Sequence, residues 1–487
     1  MNAVTLHTSC TAALASLALA ACSSTPAVTH QAIEGVEAPA SPGSTKETPA
    51  RDGTAVEAVQ PTSASAAGHD EPPAGLLDTL LANGALTEAQ VERLERAEPS
   101  TAATPPSADE APKVSVGSKG FWVKSADGES SIKVGGRVQT DANVHSRNAV
   151  GGAGITDGTE LRRARIEMKG SLPNHLKWAA EVDFANNVAR IKDFWVGRKK
   201  GEGPEVTFGH QKQPFSLEVE MSSNDIPFVE RGVDLFLLLP FVDRAVGLRV
   251  QDHTDSTFYA LGVYGESVSP VPTDVTLEDE GWGATGRFIV APVQEEEEVL
   301  HLGVRGSYRE PQNSLGLRIR DETTNMSNLR VVDTGFIMGV DSVLLYGPEA
   351  MYVNGPWSVG GEFNAAQVFR DGQDYEFKGW HAQATYSLTG ESMADAYRMS
   401  AGEFKRLEGE EGMAWEVGAR LANLDLNSGG ISGGEEDVAS LTLNCYYSDN
   451  LRFLLNWSHI METSGGSTVT AEAEGLNVFT FRAQLNF

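Results

Sequence analysis

The final eleven residues, NVFTFRAQLNF (477–487), alternate strictly between apolar and polar side chains. Phe479, Phe481, Ala483, Leu485 and Phe487 take the apolar positions, and Thr480, Arg482, Gln484 and Asn486 take the polar ones. A period of two is that of a β-strand, whose successive side chains point to opposite faces. A soluble strand seldom ends a chain on an aromatic residue, whereas the last strand of an outer-membrane barrel characteristically does. This segment therefore favours a barrel with a lipid-facing apolar surface and a wet interior.

The same alternation recurs along the chain from about residue 119. It is clearest in KVGGRVQTD (133–141), LKWAAEVDFA (176–185), VLHLGVRG (299–306), GWHAQATYSL (379–388) and WEVGARLA (415–422). A soluble β-sandwich would alternate in the same way, but the last strand favours the barrel. At about 20 to 25 residues per strand and connection, residues 119–487 predict an all-β fold, a transmembrane antiparallel β-barrel of about sixteen strands. A barrel of that size is wide enough to hold an aqueous channel.

The N-terminus carries a short run of small and apolar residues, TAALASLALAAC (11–22), which is typical of a signal-peptide core. The run ends in Leu19-Ala20-Ala21-Cys22, which resembles a bacterial lipobox. We expect residues 1–22 to be a signal peptide and Cys22 to be lipidated. Plain signal cleavage and a wrongly assigned start are the alternatives, because MNAVTLHTS lacks the positive residues expected before the core. Both cleavage routes imply export.

Residues 23–118 separate this signal from the barrel. Residues 23–74 are rich in Ala, Pro and Ser and poor in large apolar residues, which predicts a disordered tether. Residues 75–97 carry leucines at helical spacing, a stop signal at Asn83-Gly84 and a capping-box pattern from Thr87 to Gln90. They predict a short helical hairpin that either self-associates or docks on the main body. Residues 98–118 predict a linker.

Cations are concentrated on one predicted strand of a very acidic chain. The formal net charge is −29, yet Arg162, Arg163 and Arg165 lie within TELRRARIEMKG (159–170). Parity places Arg163, Arg165 and Lys169 opposite the apolar Ile166, and therefore in the lumen. Arg162 falls on the apolar parity, where a guanidinium facing lipid in mid-bilayer costs about 2–4 kcal/mol. A bulge or a snorkelling side chain would keep Arg162 in water.

Further cations share the inward parity: Lys133, Arg137, Lys177, Arg249, Arg287, Arg305, Arg420, Arg452 and Arg482. Several carboxylates share it too: Asp141, Glu167, Glu181, Asp183 and Glu416. A ring of cations in a pore favours anions. The sequence therefore leaves two alternatives. Either the cations give a net anion preference, or the acids cancel them and the channel is a general or cation-preferring porin.

Several stretches together resemble the phosphate-selective porin O and P family. They are IKVGGRVQTD (132–141), LRRARIEMKGSL (161–172), WAAEVDFA (178–185), TFGHQKQPFSLE (207–218), SSNDIPFVER (222–231), DRAVGLRV (243–250), VLHLGVRGSYRE (299–310), AWEVGARLANLDLNSGG (414–430) and LTLNCYYSDNLRFLLNW (441–457). The resemblance implies a homotrimeric, sixteen-stranded outer-membrane channel for small anions such as phosphate, narrowed by an inward loop. The connection from Pro214 to about Arg244 would be that loop. Its apolar run, LFLLLPFV (235–242), would pack on the wall or face a neighbouring subunit.

The resemblance also implies which residues line the pore. The family's Gly-Gly-Arg, paired arginines, constriction-loop serines and following Glu-Arg match Gly135-Gly136-Arg137, Arg162-Arg163, Ser222-Ser223 and Glu230-Arg231. Together with the inward cations, these positions give the candidate anion-binding set: Arg137, Arg162, Arg163, Arg165, Lys169, Ser222, Ser223, Arg231, Arg249 and Arg305.

Two positions depart from the family pattern. Phosphate-selective members have a lysine three residues before the paired serines, where this chain has Val219 between Glu218 and Glu220. Arg165 replaces the aromatic residue that follows the paired arginines. Loss of a cation beside two carboxylates would weaken a phosphate site, because the anion loses an attraction and gains a repulsion.

Other function classes find little support in the sequence. The chain has no His-Glu-x-x-His or Walker motif, so we expect no enzyme, catalytic residue, metal or cofactor. The acidic balance argues against binding nucleic acid. The expected location is the bacterial cell outer membrane. The expected partners are outer-membrane lipid and the assembly machinery, which would bind the strand ending in Phe487. A nonconducting barrel that tethers the membrane through residues 23–112 is the remaining alternative.

Overall fold

A computed structural model describes residues 87–89, 111–117, 120–266, 280–312, 316–321, 329–408 and 413–487. Within these residues sixteen strands form a barrel: β1 (Ser131–His145), β2 (Gly158–Leu172), β3 (Leu176–Asp183), β4 (Arg190–Arg198), β5 (Glu205–Lys212), β6 (Arg244–His253), β7 (Thr257–Tyr264), β8 (Trp282–Gln294), β9 (Glu298–Glu310), β10 (Val340–Asn354), β11 (Trp357–Arg370), β12 (Tyr375–Ser387), β13 (Ala414–Ser428), β14 (Ile431–Tyr446), β15 (Leu451–Ser464) and β16 (Asn477–Asn486). Each strand pairs antiparallel with the next, and β16 pairs with β1, which closes the barrel. The predicted sixteen-stranded antiparallel barrel is confirmed.

The predictions for residues 1–22 and 23–74, including lipidation of Cys22, lie outside the described residues. Of the predicted helical hairpin (75–97), the structure describes only 87–89, where Glu88 and Ala89 are helical. The predicted linker (98–118) differs from the structure at its end, because Lys113–Gly117 is a strand. Its alternating Val114 and Val116 pair with the strand Gly120–Lys124, which in turn pairs with the start of β1. A short alternating stretch beside Pro and Ala was too weak a signal to separate from the linker.

The wall has the two faces that alternation predicts. On β16, Arg482 and Gln484 are each 1% exposed inside the barrel, whereas Phe479 is 52% exposed on the outer surface. Large apolar side chains cover that surface on the other strands as well, among them Phe194, Leu261, Phe288, Val304, Leu421 and Leu441. The lipid-facing and lumen-facing parities inferred for the last strand are confirmed.

The end of the chain closes the barrel against a glycine pair. The backbone N–H of Gly136 donates to the carbonyl of Phe487 at 2.8 Å, and the N–H of Phe487 donates to the carbonyl of Gly136 at 3.1 Å. A Cβ atom at Gly136 would lie 2.4 Å from the Arg165 carbonyl oxygen and 2.7 Å from the ring of Phe487. The two glycines before Arg137 therefore let the neighbouring backbone and the terminal aromatic ring approach closely.

The connections differ between the two ends of the barrel. At one end, here called the turn end, most are short, such as 173–175, 254–256, 295–297 and 355–356. The other, the loop end, carries the longer connections 146–157, 213–243, 265–281, 311–339 and 465–476. One long connection, 388–413, breaks the pattern at the turn end.

Three long connections fold into the barrel and fill much of it. Described residues of 213–243 and 311–339 form an apolar cluster, here called the loop-end apolar cluster. It includes Leu235, Leu237, Ile319, Val332 and Ile337. Residues from 388–413 form a second one with Leu217 and the inner wall, including Tyr397 and Phe404. The run LFLLLPFV packs on the inner wall, the first of its two predicted alternatives. The sequence predicted the first inward connection and missed the other two.

The remaining elements are short. In the described residues from 111 onward, the helices are Leu217–Glu220, Leu239–Val242 and Thr468–Ala473, with 3-10 turns at Ala185–Asn187 and Val233–Leu237. Two small hairpins, Ala149–Val150 with Ala153–Gly154 and Tyr397–Arg398 with Glu403–Phe404, lie in connections. Among the described residues, no helix has the length and hydropathy needed to cross a membrane.

Candidate pore and anion-binding residues

Two cavities in the described part of the barrel together contain nine of the ten predicted anion-binding residues. The turn-end cavity, of about 490 Å³, lies among inward side chains of β1 to β6. The loop-end cavity, of about 210 Å³, lies among β1, β2, β13 to β16 and the inward loop 213–243. Arg231 of that loop lines both cavities. Arg231, the second residue of the predicted Glu-Arg pair, therefore lies between the two spaces.

Arg162 enters the lumen through a bulge. Opposite β1, the pairing of β2 passes from Gln139–Arg163 to Thr140–Leu161, which leaves Arg162 as the extra residue. An extra residue shifts the alternation and re-aims the side chain. Arg162 then donates from Nε to the Glu230 carboxylate at 2.8 Å. The bulge that parity allowed is confirmed, and both paired arginines lie inside.

Arg162, Arg163 and Arg482 surround the carboxylate of Glu230, and we call these three residues the arginine cradle. Besides Arg162, Arg163 donates to Glu230 at 3.2 Å and Arg482 at 2.7 Å. Burial would raise the pKa of Glu230, but the three guanidinium groups outweigh it and hold that pKa well below its ordinary value. Glu230 still reaches water, because 40% of its side chain is exposed.

The predicted serines lie next to the predicted Gly-Gly-Arg. One nitrogen of Arg137 donates to the hydroxyls of Ser222 at 2.9 Å and Ser223 at 3.2 Å. The other nitrogen of Arg137 lies 3.3 Å from Glu181. Arg165 pairs with Glu181 and Asp183, at 2.7 Å each. Around Arg137 and Arg165, the turn-end cavity is thus lined by hydroxyl groups and by cations that already have carboxylate partners.

The other predicted cations have different surroundings. Lys169 borders the turn-end cavity with 52% of its side chain exposed and pairs with Glu167. Arg249 borders the same cavity and lies 2.9 Å from Glu220. Arg305 points inward as predicted but is fully buried against Glu349 and Glu362. It lines neither of the two cavities and instead fixes the loop to the wall.

Lys212, which the sequence analysis did not single out, contacts the constriction loop directly. Its ammonium donates to the carbonyls of Val219, Glu220 and Met221 at 2.8, 2.7 and 3.2 Å. Arg231 also donates to loop carbonyls, at 2.8 Å for that of Glu218. Among the described residues, neither cation has a carboxylate at salt-bridge distance. Lys212 lies at a strand end, where alternation no longer tells which way a side chain points.

The side chain of Val219 does not point into the pore, where the family lysine was expected to lie. Its side chain is 4% exposed and belongs to the loop-end apolar cluster. The flanking carboxylates are both paired, Glu218 with Arg420 and Glu220 with Arg249. Burial would raise the pKa of each, but the arginine partners lower it. The repulsion expected from the two acids is therefore neutralised within the loop.

Cations and acids nearly balance along both cavities. The turn-end cavity has eight cations, Arg137, Arg165, Lys169, Lys212, Arg231, Arg244, Arg249 and Lys405, and seven acids, Glu167, Glu181, Asp193, Glu205, Glu220, Asp225 and Glu403. The loop-end cavity has Arg162, Arg163, Arg231 and Arg420 against Asp141, Glu160, Glu230 and Glu436. The passage is close to neutral although the whole chain carries −29.

The family model for phosphate-selective porin O and P matches residues 132–487, which include the whole barrel except the first residue of β1. The chain belongs to this family. Porin O of Pseudomonas aeruginosa is 26% identical over 332 residues, covering 63% of this chain and 75% of the relative. An uncharacterised Caulobacter vibrioides protein is 27% identical over 350 residues, covering 68% of each.

Solved outer-membrane barrels are also similar to the chain. A loop-deleted form of OmpT, an outer-membrane protein of Vibrio cholerae, aligns with a TM-score of 0.49 and 11% identity, over 74% of this chain and all of that one. An anion-selective porin from Comamonas acidovorans aligns with a TM-score of 0.47 and 13% identity over the same shares. As a member of the porin O and P family with a closed barrel, this protein is an outer-membrane porin channel.

Proposed function

We propose that this porin passes small anions, phosphate among them, along the two cavities that Arg231 borders. The observation that carries the proposal is the pair of cations at the constriction, Arg231 and Lys212. Both hold main-chain carbonyls and lack a carboxylate at salt-bridge distance among the described residues. Their positive charge is therefore less compensated than that of the other arginines in the passage. A cation excess beside the inward loop favours anions.

The serine hydroxyls support the same proposal. Ser222 and Ser223 already face a guanidinium nitrogen of Arg137, so donors and a positive charge converge on one edge of the turn-end cavity. Hydroxyl and guanidinium donors together suit the oxygens of an oxyanion. The family description and the name of the Pseudomonas relative add phosphate as a permeant. The near-balance of acids predicts a moderate rather than an absolute preference.

We further propose that the channel is a homotrimer, that it acts by passive diffusion without enzymatic activity, and that the assembly machinery binds its last strand at Phe487. The exposed Phe479, Leu485 and Phe487 leave an apolar edge available to lipid or to another subunit. We keep Cys22 as the proposed lipidation site. Chemical cross-linking of the detergent-purified protein tests the trimer, and an unshifted monomer would contradict it.

The proposed function is tested by adding inorganic phosphate to the purified wild-type channel while it carries chloride current across a planar bilayer. We expect a saturable fall of the chloride current, because phosphate occupies sites that chloride crosses quickly. An equal concentration of potassium chloride is the ionic-strength control. A barrel that conducts chloride but is unaffected by phosphate would leave a general porin, and a barrel without conductance would favour the tethering alternative.

A further inference from the structure

The carboxylate of Glu230 accepts hydrogen bonds from three arginines, as a bound anion would. Arg162 donates to its two oxygens at 2.8 and 3.1 Å, Arg163 donates at 3.2 Å, and Arg482 donates at 2.7 Å. Guanidinium groups bind carboxylates and phosphates through the same planar pairs of N–H donors. Three of them on one carboxylate form a cradle that suits any compact oxyanion of similar size.

The charge count of this cradle depends on Glu230. Arg482 also donates to both oxygens of Asp141, and Glu160 borders the loop-end cavity beside Arg162. Among the described residues, these three arginines therefore face three acids, Glu230, Asp141 and Glu160. Without the Glu230 carboxylate the cradle would carry one positive charge in excess, enclosed by the barrel wall. Such a site would attract an anion from the cavity, because electrostatic attraction is stronger where little water screens it.

The Glu230 backbone is held independently of its side chain. The carbonyl of Glu230 accepts a hydrogen bond from Arg420 at 3.0 Å, and the carbonyl of Val229 accepts one from Arg482. Phe228 packs under the guanidinium of Arg420, with the carbon of that group 4.0 Å from the ring centroid. The side chain of Glu230 can therefore leave the cradle by rotation while the constriction loop stays in place.

Solvent reaches the cradle from the loop-end cavity. Glu230, Arg162 and Arg163 all line this cavity of about 210 Å³. A small anion in this cavity lies near both the Glu230 carboxylate and Arg231, which line it together. A phosphate that displaced the Glu230 carboxylate could accept hydrogen bonds from the three arginines in the positions they already occupy.

We propose that Glu230 is a built-in competitor that occupies an oxyanion site formed by Arg162, Arg163 and Arg482, and that it thereby sets how tightly the channel binds phosphate. This inference rests on the proposed anion function and adds the residue that limits affinity. A permanently attached carboxylate keeps the site from holding phosphate so long that flux stops. Conduction requires binding that is strong enough to admit an ion and weak enough to release it.

The test compares Glu230→Gln with wild type in planar bilayers, using inorganic phosphate to block chloride current. We expect the half-blocking phosphate concentration to fall about tenfold in Glu230→Gln, because a neutral amide competes poorly for three guanidinium groups. Asp157→Asn is the matched control. It removes one negative charge at the loop end, where Asp157 is half exposed and pairs with His145 rather than with an arginine. We expect its half-blocking concentration to stay within about twofold of wild type.

Glu230→Asp separates competition from net charge. It keeps the charge but shortens the side chain by one methylene, so we expect tighter phosphate block than in wild type and weaker block than in Glu230→Gln. It also serves if Glu230→Gln fails to form a heat-resistant barrel. If wild type conducts and is blocked by phosphate, but both variants match the Asp157→Asn control, the competitor role is overturned and the proposed function stands. If wild type itself is not blocked by phosphate, the proposed function fails.

Discussion

The carboxylate of Asp234 on the inward loop lies 2.9 Å from Nδ1 of His381 on β12. The same oxygen accepts a hydrogen bond from the side-chain amide of Asn364 on β11 at 2.8 Å. Asp234 has 0% exposure, so this contact is enclosed between the loop and the wall. These hydrogen bonds hold the inward loop against the barrel wall, so that the loop stays inside the lumen without a covalent link.

Asp234→Ala is expected to loosen the inward loop. The change leaves His381 and Asn364 buried without this partner, which costs about 1–3 kcal/mol for each group. We expect a lower temperature for the heat-induced gel shift of the barrel and a larger, noisier single-channel conductance. Asp371→Ala, in an exposed connection, is the control. A variant with wild-type conductance would show that the loop is held by its apolar contacts alone.

Val219→Lys is expected to destabilise the channel without creating a phosphate site. The side chain at this position packs in the loop-end apolar cluster, where an ammonium group would be buried without a partner. We expect reduced thermal stability and no tighter phosphate block, whereas Val219→Ile should resemble wild type in both. Tighter phosphate block in a stable Val219→Lys protein would instead show that the new lysine reaches the cavity. It would then support the expectation from the sequence that replacing the family lysine by Val219 weakens a phosphate site.

Lys212→Gln is expected to shift ion preference toward cations. The lysine supplies a charge at the constriction and holds three loop carbonyls, of which an amide can bind fewer. We expect the zero-current potential under a salt gradient to move in the cation direction, together with a higher conductance. Lys199→Gln, at a turn-end connection, removes an equal charge and should leave the potential nearly unchanged. Equal shifts in both variants would exclude a special role for Lys212.

The loop carboxylates predict how the channel responds to acid. The pKa values of Glu218, Glu220 and Glu230 are all lowered in the folded protein, because arginines outweigh the effect of burial. A lowered folded pKa contributes stability that is fully present above the unfolded glutamate value of about 4.3 and is lost as pH falls through the folded value. We expect thermal stability to fall below about pH 4, as these three carboxylates become protonated. Thermal stability that is unchanged down to about pH 2 would contradict this assignment.

The alternation of apolar and polar residues was enough to predict the wall. Phe479 and Arg482 lie on opposite faces of β16, as their parity required, because lipid and water allow each side chain one direction. Parity also identified Arg162 as a cation on the lipid-facing side of its strand. The bulge at Arg162 turns this side chain into the lumen. The family resemblance added the inward loop and its serines, which lie beside Arg137.

The interior was harder to predict, because connections have no period. Tyr397 and Phe404 fill the turn end from a connection that resembled an ordinary loop in sequence. Val219 could be aligned to a family position, but its direction depends on how a four-residue helix, Leu217–Glu220, packs. Lys212 is the last residue of β5, where alternation no longer shows which way a side chain points. The pairing of Glu230 with three arginines on two distant strands likewise depends on tertiary packing.

The most direct test of the account is the zero-current potential of the purified wild-type channel in a planar bilayer under a potassium chloride gradient. The cations at Arg231 and Lys212 predict a potential of the sign that marks chloride as the more permeant ion, with a moderate magnitude because acids nearly balance cations in both cavities. A potential of the opposite sign would show that Glu230 and the other lumen acids dominate the passage, and would contradict the proposed anion function.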